Sequence, residues 1–538
     1  MYHPSSRNVK RRVRKKDKSL SIAKKMRYHT IRYDQTFCIP LFFSQPTLML
    51  QGKPRFALFF LSVISFCVVS GSVLFYAFGY RFNFERGVFI YGGSITLKSN
   101  PVEIDIKIDG VQIPTKDLNR LNQSYHISGI IPGEHSIEVS SPGYQTWTKR
   151  IVVRSGISNE FWNITLPRKN YEIVSYPGTD HLTRYFQSPE PTLFAGIYES
   201  PHRIGVQMYD TEQEINETLY SEPDISFAFE KNENLEWSPD VDRLVFPVLS
   251  GGKRHVISVD TETKQTRDLS VELDQFTIFR PRFNPSVNDS LLYRSENKLY
   301  RLDLHSSSPD TPLEPLLLAE HVAAYDISGS DIYIIDSENH RLYRFGAGEE
   351  RPDFRPITDT PLPDIDPETT LIVYDEYRIA ILSESGKLTF FNAYLDDNPL
   401  RTLAERGIQG VQFSDDGKKL LFFSSHETSV YFIRPWEVQP KRDQDSVWQI
   451  GRFADDISFV QWTKDYEHIL YVKGAQVFVT ELDNRDRRNI SELIRFERPP
   501  IQVLSRVNRN QIFFIKDTGD SSELLSIDFP EFNNFFTQ

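Results

Sequence analysis

Side chains able to do chemistry are numerous in this chain but scattered. Ten histidines follow residue 80, at 126, 135, 181, 202, 255, 305, 321, 340, 426 and 468. No two stand three or four apart, the spacing that would set a pair of zinc ligands on one helical turn. The two cysteines, Cys38 and Cys67, both precede that region. The patterns H-E-x-x-H, G-x-S-x-G, G-x-x-x-x-G-K-[ST], G-x-G-x-x-G and C-x-x-C do not occur. Zinc-protease, nucleophile-elbow, P-loop, dinucleotide and dithiol chemistry therefore have no local signature. The acid-rich stretch Asp364-Ile365-Asp366-Pro367-Glu368 lacks the glycine and terminal Glu of a calcium loop and reads as a solvated linker. What survives is acid catalysis by carboxylates from distant segments, a pair that could cleave a glycosidic bond and would leave no local pattern. No catalytic, cofactor-binding or metal residue is assigned, and no cofactor is expected.

The remaining conspicuous acids, Asp240, Asp415, Asp416 and Asp465, stand in segments that repeat. Trp237-Ser238-Pro239-Asp240 is followed by an apolar run opening at Leu244. The same figure recurs at Phe186, Phe283, Phe413-Ser414-Asp415-Asp416-Gly417 and Trp462-Thr463-Lys464-Asp465, with weaker copies near Tyr325, Val373 and Leu504. The eight anchors are 51, 46, 42, 48, 40, 49 and 42 residues apart, the length of a four-stranded blade. Each unit reads as a strand ending in an aromatic residue, a tight turn, an apolar second strand, then a third strand whose alternation sets a face against the next unit. In the turns, Asp and Ser side chains cap their own backbone and Gly417 accepts a left-handed conformation. That local role outweighs a metal-binding one. Residues 171–538 resemble a WD40-like, TolB-type β-propeller of seven or eight blades, eight being favoured.

Between the repeats and the N-terminus lies a second β-rich stretch. In Pro101-Val102-Glu103-Ile104-Asp105-Ile106-Lys107-Ile108, the isoleucines share one face and the charged residues the other, and Asp109-Gly110 supplies a hairpin turn. Further strands are expected at 95–97, 136–139, 146–153 and 161–166. The order of these strands, with Pro132-Gly133 and Gly143-Tyr144-x-x-Trp147, resembles a PEGA domain over about 88–168. Pro101-Val102-Glu103-Ile104 replaces the name-giving Pro-Glu-Gly-Ala. The resemblance implies a small surface-associated β-sandwich-like module of prokaryotes and brings no catalytic residue. Gly79-Tyr80-Arg81-Phe82 also resembles the lead-in of bacterial single-span proteins that carry such a module ahead of a propeller.

Everything so far hangs on Phe56 to Tyr80, 25 residues without a charge, 14 of them Leu, Ile, Val or Phe. At about -0.3 to -0.6 kcal/mol each, those residues favour membrane insertion by at most roughly 4–8 kcal/mol. No small-residue cleavage site follows, so an uncleaved signal anchor is expected. The net charge of -11 divides across this segment: 14 Lys and Arg stand against two acids in 1–55, and 48 against 71 beyond. The basic side stays in the cytoplasm by the positive-inside rule. The fold expected is all-β: a cytoplasmic tail 1–55, taken as disordered, a transmembrane helix 56–80, the small module and the propeller, with 81–538 outside the cell membrane.

The tail would touch anionic lipid, and no nucleic-acid partner is expected. The function expected is that of an anchored scaffold presenting the propeller to a protein or glycan of the cell envelope. The alternative is a carbohydrate-active hydrolase or lyase with carboxylates in the propeller channel.

Overall fold

The computed structural model describes residues 52–83, 87–114, 118–119, 122–200, 203–229, 233–304, 312–506 and 510–529. The basic tail up to residue 51, with Cys38, lies outside them. The chain divides into two units, Met1–Tyr80 and Arg81–Gln538.

In the first unit the helix expected at 56–80 is displaced: α1 (Gly52–Ala77) begins four residues before the uncharged run and ends three residues short of its end, where Gly79 takes positive φ, and its apolar side chains face outward all round. A helix satisfies every backbone polar group within itself, which a bilayer core demands. Its 26 residues give about 39 Å at 1.5 Å per residue, enough to cross a ~30 Å hydrocarbon layer.

A hairpin comes next in the chain, Tyr80–Asn83 paired to Val88–Tyr91. Two four-stranded sheets follow. One holds Ser158–Thr165, Gly93–Asn100, Ser124–Ile130 and Leu118–Asn119, with Ser158–Thr165 running parallel to Gly93–Asn100. The other holds Val111–Ile113, Asp105–Ile108, Gly133–Ser140 and Trp147–Val153. They enclose one core in which Ile104, Ile106 and Ile108 are all buried, as the period-two pattern requires. Asp109 and Gly110 both take positive φ in the turn, and the Asp109 carboxylate accepts a hydrogen bond from Ser136 N at 2.8 Å.

From residue 174 to 528 the described chain forms eight antiparallel sheets in succession. Sheets one to seven occupy 182–222, 225–268, 279–319, 322–356, 370–404, 410–452 and 457–495. Sheet eight is built from 502–528 and completed by Val174–Ser175, which pairs with Ser522–Asp528. Eight apolar clusters fill the spaces between sheets, each drawn mainly from two consecutive sheets. The eighth joins sheet eight to sheet one through Tyr185, Phe194, Phe513 and Leu524. The second strands are consequently covered on both faces: every residue of Ser290–Ser295 is buried. This explains why those strands read as continuous apolar runs, whereas alternation alone would predict one covered face.

Candidate functional site

The repeat turns are built by their own side chains. Trp237 is buried, Ser238 Oγ accepts from Arg243 N at 2.9 Å, and Pro239 and Asp240 form the exposed corner. In the sixth sheet Phe413 is buried, Ser414 Oγ donates to Asp416 Oδ1 at 2.7 Å, and the Asp415 carbonyl accepts from Tyr374 Oη at 2.6 Å. Gly417 has φ +60°, and a Cβ there would lie 2.5 Å from the Tyr374 ring. Glycine is required on both counts. In the seventh sheet Trp462 is buried, and Asp465 Oδ1 accepts from Thr463 Oγ1, Glu467 N and His468 N at 2.7, 2.9 and 3.1 Å. Its other oxygen meets His468 Nδ1 at 2.7 Å. These acids lie on different sheets and do not converge. Among the described residues no group of three His, Cys, Asp or Glu side chains is arranged to hold a metal ion.

Convergence occurs instead on the first strands, which touch across neighbouring sheets. Glu236 of sheet two and Asp326 of sheet four both engage Arg282 of sheet three, at 3.2 and 3.1 Å. Asp326 also accepts from Val373 N of sheet five at 2.8 Å. Burial raises the Glu236 carboxyl above its ordinary range and Arg282 opposes that rise. The arrangement is a clamp: both carboxylates hold the same guanidinium and neither is arranged as an isolated acid or base.

On the other side of the array three glutamines do similar work with neutral groups. Gln412 Oε1 accepts from Trp462 N at 3.3 Å, and Gln461 bonds both Val503 O and Ser505 N, at 2.8 and 2.9 Å. Gln502 reaches from sheet eight to sheet one, bonding Tyr185 N and O at 2.8 and 3.0 Å.

The small module is fixed to sheets six and seven by a partly buried polar joint. Trp147, singled out by its motif, is buried, and its Nε1 donates to Glu481 Oε2 at 2.8 Å. Lys149 Nζ lies 2.6 Å from Glu481 Oε1, both side chains being buried, and donates to the carbonyls of Asp483 and Arg487 at 3.0 and 2.8 Å. Asn489 completes the coordination of Glu481 with two further bonds, at 2.7 and 2.8 Å. Beside it, Arg485 lies 3.8 Å over the ring of Phe161 and donates to the Glu160 carbonyl at 2.8 Å. Gln439 clasps the same strand at Ser158 O and Glu160 N.

The other motif residues lie elsewhere. Pro132 precedes and Gly133 starts Gly133–Ser140, Gly143 and Tyr144 form the turn before Trp147, and Pro101 follows Asn100 at the end of its strand. Nothing in the chain near Lys149, Glu481, Gln439 or Arg485 marks them, because the partners they meet across the joint are hundreds of residues away. The one available signal was a lysine on the inward-facing phase of its strand, beside Trp147 and Ile151.

Residues 92–170 match the model of the PEGA domain. No curated protein matches the chain in sequence. Among solved structures, the β-propeller domain of Cps50 (Swd1) from Myceliophteria thermophila aligns over 66% of this chain and 100% of its own, at 12% identity and a TM-score of 0.38. The Dos1 propeller aligns over 66% and 94%, at 14% identity and 0.42. An oligogalacturonate lyase in complex with manganese aligns over 67% and 96%, at 13% identity and 0.35. The chain is thus an all-β protein with one apolar N-terminal helix, a PEGA domain matched at 92–170 and eight successive antiparallel sheets.

Proposed function

We propose that this chain is a single-pass membrane protein with its N-terminus in the cytoplasm and residues 81–538 outside. Its eight sheets close into one eight-bladed propeller that binds a protein or glycan of the cell envelope. Closure is supported by the cluster between sheets one and eight, by the Gln502 clasp and by the completion of sheet eight with Val174–Ser175. The binding reading rests on one observation above others: the acids that converge on the inner strands, Glu236 and Asp326, are joined through Arg282. A glycosidase pair needs one carboxyl free to give a proton and one free to attack or to activate water. A rigid platform at the membrane needs neither, and the buried joint at Lys149 and Glu481 supplies the rigidity.

The test uses the full chain in lipid nanodiscs, incubated with envelope extract and with purified envelope polysaccharide. Retention of a specific protein or glycan, unchanged in Glu236→Gln, supports the binding reading. Release of new saccharide ends that Glu236→Gln abolishes would overturn it in favour of a hydrolase or lyase. Topology is checked separately with a membrane-impermeant maleimide on intact cells. A cysteine placed at the exposed Asp224 is expected to label, and Cys38 only after permeabilisation.

A further inference from the structure

The hairpin that follows the helix exposes apolar side chains where a soluble domain has no use for them. Phe82 and Phe89 pack edge to face at 5.1 Å, yet Phe89 remains 59% exposed; Val88 and Tyr91 are exposed beside them. The module adds to the same end. The Tyr91 ring lies so close to Gly156 that a Cβ there would meet it at 2.5 Å. Gly156 N donates to Gly92 O at 3.1 Å, and Ile157 O accepts from Ser94 N at 3.1 Å. Ile157 itself is 48% exposed. The Arg81 guanidinium crosses Gly129 at this end, two residues before the exposed Ile131.

We infer that this end of the module, formed by Phe82, Val88, Phe89, Tyr91, Ile131 and Ile157, is a lipid-facing surface that seats in the headgroup zone of the bilayer. The inference rests on the reading of α1 as a span. Covalent length ties the hairpin to the bilayer whatever the angle between helix and hairpin. Phe82 is five residues beyond Ala77, the last helical residue, and five residues reach at most about 17 Å. From Arg55 to Ala77 the helix already fills the ~30 Å hydrocarbon thickness, so the hairpin starts within or beside the ~5–8 Å headgroup layer. Aromatic rings with a tyrosine and an arginine are the composition that this layer retains. A protein partner would have to compete for the same space with lipid that the tether holds there permanently.

The experiment places a nitroxide at single cysteines in the full chain, with Cys38→Ser and Cys67→Ser, reconstituted in phosphatidylcholine/phosphatidylglycerol vesicles. Collision with oxygen is compared with collision with a water-soluble nickel chelate. Labels at Phe89→Cys and at Ile157→Cys are expected to favour oxygen several-fold over a label at Asp224→Cys, and less than one at Val69→Cys in the helix. A water-like reading at either 89 or 157, with 69 immersed, overturns the inference and leaves the span intact. A water-like reading at 69 overturns both.

Discussion

Lys149 is removed from water, and Glu481 makes that tolerable. The carboxylate spends one oxygen on Trp147 and the other on Lys149 and Asn489, so both charges are paired and hydrogen-bonded. Removing one partner strands the other, at about 3–5 kcal/mol. Lys149→Met is therefore expected to lower the midpoint of denaturant unfolding strongly, and Lys149→Met with Glu481→Leu to recover part of the loss. A double variant as unstable as the sum of the singles would show that the pair is not a coupled unit. Asp465 and His468 add a pH dependence of known sign. Burial opposes charge on His468, but the carboxylate of Asp465, with Glu481 and Glu467 behind it, holds its pKa above the ordinary value. Burial likewise opposes charge on Asp465, and His468 with the turn's donors holds that carboxyl well below the usual range. The stability from His468 is thus complete below about pH 6.5, the unfolded value, and is lost as pH rises through the folded one. The part from Asp465 is present above about pH 4 and is lost only in strong acid. As pH rises above about 6.5, melting temperature is expected to fall by more in the wild type than in His468→Gln, and parallel curves would sink the assignment.

Single elements differ in how far the sequence discloses them. The aromatic anchor, the Ser or Asp turn and the apolar second strand lie within a dozen residues, so Trp237, Phe413 and Trp462 mark their sheets locally. The fourth strands do not: Ile215–Glu222 begins with four exposed residues and Arg355–Pro356 has only two residues, both exposed. The hairpin of Tyr80–Asn83 and Val88–Tyr91 was equally hidden, since strands of four residues are too short to show a period. The clasps were invisible for another reason. Gln461 belongs to one repeat and its partners Val503 and Ser505 to the next, and nothing near Gln461 in the chain distinguishes it from a surface glutamine. Replacing it by leucine preserves bulk and leaves a half-buried carbonyl and amide without their partner, at up to about 1–3 kcal/mol. Gln461→Leu is expected to destabilise the protein by that order and to raise amide exchange first in 502–506. An unchanged exchange rate there would mean the clasp contributes nothing.

Across the whole molecule, the arrangement of the sheets sets how the protein must come apart. An open row of eight sheets has two terminal faces and frays from them, each sheet depending on one or two neighbours. A ring has no terminal face, and the joint between its first and last sheets is as strong as any other. That joint is measurable here. Tyr176, just beyond the strand that completes sheet eight, donates or accepts at Ser526 Oγ at 3.0 Å and packs on Tyr209 of sheet one and Phe513 of sheet eight. Tyr176→Ala opens a cavity at this seam, at a cost of about 3–5 kcal/mol by analogy with other large aromatic truncations. In a closed ring that loss should lower the unfolding midpoint of the entire array in one transition, with sheets four and five, remote in sequence from the seam, melting at the same denaturant concentration as one and eight. In an open row the same substitution would loosen the ends alone, and amide exchange would show sheets four and five keeping their wild-type midpoint. Because the seam joins residues 176–210 to 502–528, the outcome also decides whether the molecule presents one continuous rim of loops or a curved strip with two free ends.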